Sequence, residues 1–224
     1  TTVGGVVVDG GSFPWGHPDA DYDELDGESP AYPIDFVERF GDAAFANVAR
    51  QRGVRPTGGQ QSPFDAWQTI QGLNTLPLRM ERHCENARAV AEFLRDDGRV
   101  GWVTYPGFAD HKSHGNAAEY LDGFGGMVTF GVDGGYEAAK TFCESVELTS
   151  FLANIGDAKT LVIHPASTTH AQMDETQRRL AGVFPEMLRL SVGIEDVDDV
   201  IADLDRGLAA GERAAGGEPA AGGS

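Results

Sequence analysis

The sequence predicts an α/β fold. Three observations carry it. Strand-like and helix-like patterns alternate beyond residue 97. The run Met187–Val192 reads as a strand among turn residues. Ile194, Val197, Val200, Ile201, Leu204 and Leu208 form a clean helical stripe. At 224 residues the chain is long enough for a substantial core. We divide it into a first unit over 1–96, a second over 97–210, and a disordered Ala/Gly/Glu/Pro tail over 211–224. The first boundary is the turn Asp96-Asp97-Gly98, which follows a long helical pattern.

In order, residues 1–11 read as a strand through Val3, Val6, Val7 and Val8. An acidic loop follows, punctuated by Pro14, Pro18, Pro30 and Pro33, with Phe13, Trp15 and Tyr22 to pin it down. Residues 34–52 are helical, with Phe36, Val37, Phe40, Ala44 and Val48 on one face, and the Gly53–Gln61 segment breaks that helix. Ser62 caps the next helix, with Pro63 at its first position and an amphipathic stripe of Phe64, Trp67, Ile70 and Leu73. A long helix then runs from Pro77 to Asp96, turning Leu78, Cys84, Ala87, Ala91 and Leu94 inward.

Beyond it, Val100–Tyr105 and Gly125–Val132 are strands and Tyr136–Val146 is a helix. Leu148–Leu152 and Thr160–Ile163 are short strands, Thr168–Leu180 is a helix, and Met187–Val192 is a strand before the final helix.

The balance of 17 basic against 35 acidic residues gives a net charge of −18, which disfavours nucleic acid as a partner. Only Lys112, Lys140 and Lys159 are lysines; an acidic, lysine-poor surface suits a salt-loaded cytoplasm. No run is long enough to span a bilayer and the first residues lack a basic leader, so we expect a cytoplasmic protein. Cys84 and Cys143 read as core packing rather than a disulfide or zinc site. His111 and His114 have no further partner at ligand spacing, so no metal is expected. Dinucleotide, phosphate-loop and nucleophile-elbow signatures are all absent from the sequence.

Arg189 is the most informative residue. Within its apolar strand it shares a face with Met187 and Ser191, opposite Leu188, Leu190 and Val192. The pattern leaves two readings open: an arginine snorkelling or paired with an internal acid, or one that meets a substrate carboxylate with its planar fork. Asn154-Ile155-Gly156-Asp157 reads as a turn with an exposed amide, and His164-Pro165 ends a strand before a cap at Ser167 or Thr168.

Taken together, four stretches resemble the Cys/Met-metabolism family of pyridoxal-phosphate enzymes: residues 1–9, Ser62-Pro63-Phe64-Asp65-Ala66, residues 72–83, and Arg189-Leu190-Ser191-Val192-Gly193. The form Asn154-Ile155-Gly156-Asp157-Ala158-Lys159 and a Pro- and Asp-rich insertion near residues 12–50 are most similar to the O-acetylhomoserine sulfhydrylase branch. The resemblance implies the end of the large domain and the small C-terminal domain of a fold-type I transferase, commonly a homotetramer. It implies that Arg189 holds the substrate α-carboxylate, that Asn154 assists, and that Thr169 lines the substrate side. It further implies γ-replacement of acetate by sulfide or a thiol in methionine biosynthesis, with pyridoxal 5'-phosphate as electron sink. The family's Schiff-base lysine falls upstream of the stretch matched at Thr1, and none of the three lysines here matches it. The resemblance therefore implies a chain that supplies the carboxylate half of a site and is inactive alone. The alternative is a non-catalytic remnant acting as a binding module.

Overall fold

The computed structural model describes residues 2–17, 19, 22, 25, 27 and 33–216. Expectations for Thr1, Pro18, Pro30 and residues 217–224 lie outside the described residues. The chain gathers into two compact units, Thr1–Asn74 and Thr75–Ser224.

In the first unit, residues 2–10 form no strand, and Val3, Val6, Val7 and Val8 are exposed. The β-branched run has the right propensity, but a strand is completed by a neighbour's backbone, and none pairs with it among the described residues. Helical structure begins at Asp35, whose carboxylate accepts the Glu38 amide at 2.8 Å. It continues as α1 (Phe36–Phe40), a 3-10 turn, α2 (Ala44–Val48), a π-helical turn over Ala49–Val54, and α3 (Arg55–Thr57). Gly53 does not break the run; Gly58 ends it in the left-handed region at φ 66°. Leu25, Phe36 and Ala44 are buried together, with Trp15 stacked on Phe45 at 5.1 Å between ring centroids. Ser62 caps α4 (Pro63–Asn74) as expected, its hydroxyl accepting the Asp65 amide at 3.1 Å. The predicted stripe of Phe64, Trp67, Ile70 and Leu73 is more than half exposed throughout.

The second unit begins with α5 (Leu76–Asp96), which moves the boundary back from Asp96. The reason is packing: Ala87, Val90, Ala91 and Leu94 of α5 belong to the core of this unit. Leu78 is exposed, whereas His83 and Asn86 are buried on the inward face. There follow β1 (Val100–Thr104), α6 (His114–Tyr120), β2 (Met127–Val132) and α7 (Gly135–Ser145). Then come β3 (Ser150–Phe151), β4 (Leu161–Ile163), a 3-10 turn over Pro165–Ser167, α8 (Glu175–Leu180), β5 (Met187–Ser191) and α9 (Val197–Ala215).

The five strands lie in the order β1-β2-β5-β4-β3, antiparallel except for the parallel β3–β4 pair. Val128, Phe130, Val162, Leu188 and Leu190 pack with α5, α7 and α9 in one core. Leu188 and Leu190 are fully buried, each worth about 2 kcal/mol in removed apolar surface.

Three further elements depart from expectation. The sequence assigns no element over His114–Tyr120, where α6 forms. The helix expected over Thr168–Leu180 is only α8, because Asp174 and Gln177 form a capping box that starts it at Glu175. At the far end α9 runs through Ala215, past the expected limit at Ala210, with Gly211 set close against the Ala138 carbonyl of α7.

Candidate functional site

The site is built around β5. Alternation along the strand sends Leu188 and Leu190 into the helix-covered core and turns Arg189 to the other face. Thr129 of β2 pairs opposite Arg189 on one side, and Ile163 of β4 on the other. Arg189 thus stands in the middle of the sheet, half-buried, with no acidic side chain in ion-pair range among the described residues. An internal partner is one of the two readings of this arginine, and none is observed among the described residues. The guanidinium retains five donors for an anion from outside.

The second element is the turn between β3 and β4. The Asn154 side-chain oxygen accepts the Ile155 amide at 2.9 Å, and Gly156 takes φ 77°, a conformation that favours glycine. The Gly156 amide donates to the Ser191 hydroxyl at 3.2 Å. Ser191 lies two residues beyond Arg189, so the structure ties the Asn154 turn to the strand that carries Arg189. Thr169 follows the 3-10 turn after β4; it is exposed, and its hydroxyl engages the ring of His170 at 2.8 Å. No hydrogen bond joins Thr169 to Arg189 or to the Asn154 turn among the described residues.

Beneath these lies a polar knot. Glu195 accepts from the Thr160 amide at 2.6 Å and from the Thr160 hydroxyl at 2.9 Å, and that hydroxyl accepts the Gly193 amide at 2.9 Å. The Ile194 amide donates to the Ala158 carbonyl at 2.9 Å. From α5, Asn86 donates to the carbonyls of Gly193 and Glu195 at 3.1 and 2.9 Å. His83 Nδ1 is 2.6 Å from the Val192 carbonyl; a carbonyl only accepts, so that nitrogen carries the proton. Sequence reasoning missed His83, Asn86, Thr160 and Glu195. Its one available signal was a histidine and an asparagine three apart on the otherwise apolar inward face of α5.

The other histidines are occupied locally. His164 is fully buried, with Nδ1 near the Ser167 hydroxyl at 2.9 Å and Nε2 donating to the Pro185 carbonyl at 2.7 Å. Burial holds its imidazole below the ordinary histidine range. His111 accepts the Ser113 amide, and His114 stacks on Phe124 and bonds the Pro106 carbonyl. A cavity of about 130 Å³ between the β2 end, α7 and α9 is lined by Val132, Phe142, Leu208 and Glu212, and does not include Arg189.

Residues 1–209 match the family model described as Cys/Met metabolism PLP-dependent enzyme. The chain belongs to that family. It is 46% identical over 219 residues to an O-acetyl-L-homoserine sulfhydrylase of Leptospira meyeri, covering 93% of this chain and 49% of that protein. It is 44% identical to a homocysteine synthase of Schizosaccharomyces pombe, over 93% of this chain and 49% of that one. A Campylobacter jejuni structure described as an O-acetylhomoserine (thiol)-lyase, holding N'-pyridoxyl-lysine-5'-monophosphate, superposes with a TM-score of 0.74 at 34% identity. It covers 86% of this chain and 46% of its own. The Xanthomonas oryzae cystathionine gamma synthase, in complex with aminoacrylate and cysteine, gives a TM-score of 0.68 at 38% identity, over 75% of this chain and 44% of that one. The chain spans about half the length of the curated relatives it matches.

The family's cofactor is pyridoxal phosphate, and the residues here fit only one end of such a site. A Schiff-base amine is enclosed against its cofactor. All three lysines are exposed, and Lys140 lies 3.9 Å from Glu144 on the outside of α7. The described residues offer the Arg189 guanidinium to an anion and no enclosed amine to a cofactor. Among them, no helix is long and apolar enough to cross a membrane, and no group of three or more His, Cys, Asp or Glu could hold a metal ion.

Proposed function

We propose that this chain supplies the substrate-carboxylate half of an O-acetylhomoserine sulfhydrylase-like enzyme. The observation that carries it is the half-buried guanidinium of Arg189 at the centre of the sheet, without an ion-pair partner among the described residues, with the Asn154 turn tied to its own strand through Ser191. Arg189 binds the α-carboxylate of the amino-acid substrate through two N–H donors, which fixes both position and orientation. Asn154 assists from the turn, and Thr169 lines the substrate side from the loop after β4. The reaction of the whole enzyme is O-acetylhomoserine plus sulfide giving homocysteine and acetate, or plus methanethiol giving methionine and acetate. By resemblance, residues 1–96 belong to the large cofactor-binding domain and 97–210 to the small one, with α5 of the former sequence stretch packing into the core of the second compact unit. Pyridoxal phosphate is the cofactor of the whole enzyme, and its lysine comes from outside this chain. We place that enzyme in the cytoplasm of a halophile, as a homo-oligomer, commonly a homotetramer in such families. The acidic, lysine-poor composition supports the first part.

The test is kinetic. In the intact enzyme, Arg189→Ala raises KM for O-acetylhomoserine about 10- to 100-fold, since hydrogen bonds to a charged group are lost. The cofactor absorbance stays unchanged. Full activity in Arg189→Ala would overturn the carboxylate role. A second reading, a non-catalytic binding module, draws on the three exposed lysines and the exposed stripe of α4. The intact mass of the native protein separates the two. A mass well above 23.8 kDa favours the enzyme, and a mass equal to it favours the module.

A further inference from the structure

We infer that Glu195 and Thr160 are positioning residues that set where the Asn154 turn stands relative to Arg189; the inference rests on the carboxylate site proposed above. The turn has few other supports, since residues 151–156 and Ala158 and Lys159 are exposed. Three of its ties lead to one short segment. Gly156 donates to Ser191, Ile194 donates to Ala158, and Thr160 is held twice by the Glu195 carboxylate. That segment, 191–195, continues directly from Arg189. Turn and guanidinium are therefore mounted on one backbone and move together.

The Thr160–Glu195 link is the strongest of these ties. Thr160 is fully buried, its amide and hydroxyl both donate to one carboxylate, and its hydroxyl also accepts from Gly193. Hydrogen bonds to an ionised acceptor are about twice as strong as neutral ones. The fit is close enough to exclude a side chain at Gly193, where a Cβ would run into the Ala158 carbonyl, the Lys159 backbone and Glu195 itself. On the far side, Asn86 and His83 fix the same 192–195 backbone from α5, which makes that segment a rigid base for the turn. Neither Glu195 nor Thr160 needs to touch substrate for this role.

The experiment is steady-state kinetics on the holoenzyme with Glu195→Gln, Thr160→Val and Thr160→Ser, each also combined with Arg189→Ala. Glu195→Gln and Thr160→Val are expected to raise KM for the amino-acid substrate about tenfold, with kcat much less affected and cofactor absorbance unchanged. Thr160→Ser keeps the hydroxyl and should restore a near-normal KM. In the Arg189→Ala background the additional loss should shrink, because the group being positioned is gone. If KM is unchanged, or if kcat and thermal stability fall together with no separate effect on KM, the role is structural only and the inference fails. An undiminished effect in the Arg189→Ala background overturns it equally. Should Glu195→Gln not fold, Thr160→Val carries the same test. If Arg189→Ala alone leaves KM unchanged, the carboxylate site itself is wrong, a failure distinct from loss of the latch alone.

Discussion

Arg189 and Ser191 stand one pleat apart on the same side of β5, and the Ser191 hydroxyl accepts the Gly156 amide at 3.2 Å. The serine is buried although it lies on the side away from the helix-packed core, flanked by Met127 of β2 and Leu161 of β4 and bonded by the Gly156 amide. One strand therefore presents the guanidinium and, two residues later, anchors the loop that flanks it.

Replacing that anchor is a mild and specific perturbation. Ser191→Ala removes one neutral hydrogen bond of about 1 kcal/mol, so KM for the amino-acid substrate of the intact enzyme should rise about fivefold while kcat changes little. A KM that stays put would show that the Asn154 turn keeps its place without Ser191.

Leu190 is the core counterpart. It is fully buried, paired with Val128 of β2 and Val162 of β4, and immediately follows Arg189. Leu190→Ala should lower stability by about 2–5 kcal/mol, read as a lower denaturant midpoint. A loss under about 1 kcal/mol would mean that the core collapses around the smaller side chain.

Asp203 gives a pH signature. Burial raises its pKa, but the amides of Glu147 and Thr149, each at 2.8 Å, together with that of Leu148, outweigh this and leave it below the ordinary value of 3.8. A depressed folded value means the contribution is complete above about pH 3.8 and is lost as pH falls through the lower folded value. Asp203→Asn should be less stable than the parent near neutral pH by about 1–3 kcal/mol, with the gap closing in acid. Urea midpoints measured across that range check it. A gap that does not depend on pH would mean the carboxylate's charge has no part in the staple.

Local signals carried much of the fold. The alternation of Met187–Ser191 and the stripe of α9 were legible because one element's burial pattern is written in its own residues. Val3–Val8 misled because strand formation is a property of a pair. The α4 stripe was read correctly as amphipathic, but periodicity does not reveal whether an apolar face is covered. Arg189 stood out because a charge in an apolar strand demands explanation, and the turn at Asn154 because Asn and Gly mark one, whereas the roles expected of both came from the family resemblance. The contacts joining Asn86 to Gly193, and Thr160 to Glu195, span 107 and 35 residues, and nothing within either neighbourhood announces the other.

The order β1-β2-β5-β4-β3 has a consequence for the chain as it is made. β2 and β4 share no neighbour until residues 187–191 have left the ribosome, because β5 is inserted between them. A nascent chain lacking those residues has two unjoined pieces of sheet, a non-local closure of the kind that slows folding. Once β5 enters, it joins the sheet and brings the arginine into place in the same event. An unfinished molecule thus presents Arg189 on no sheet at all.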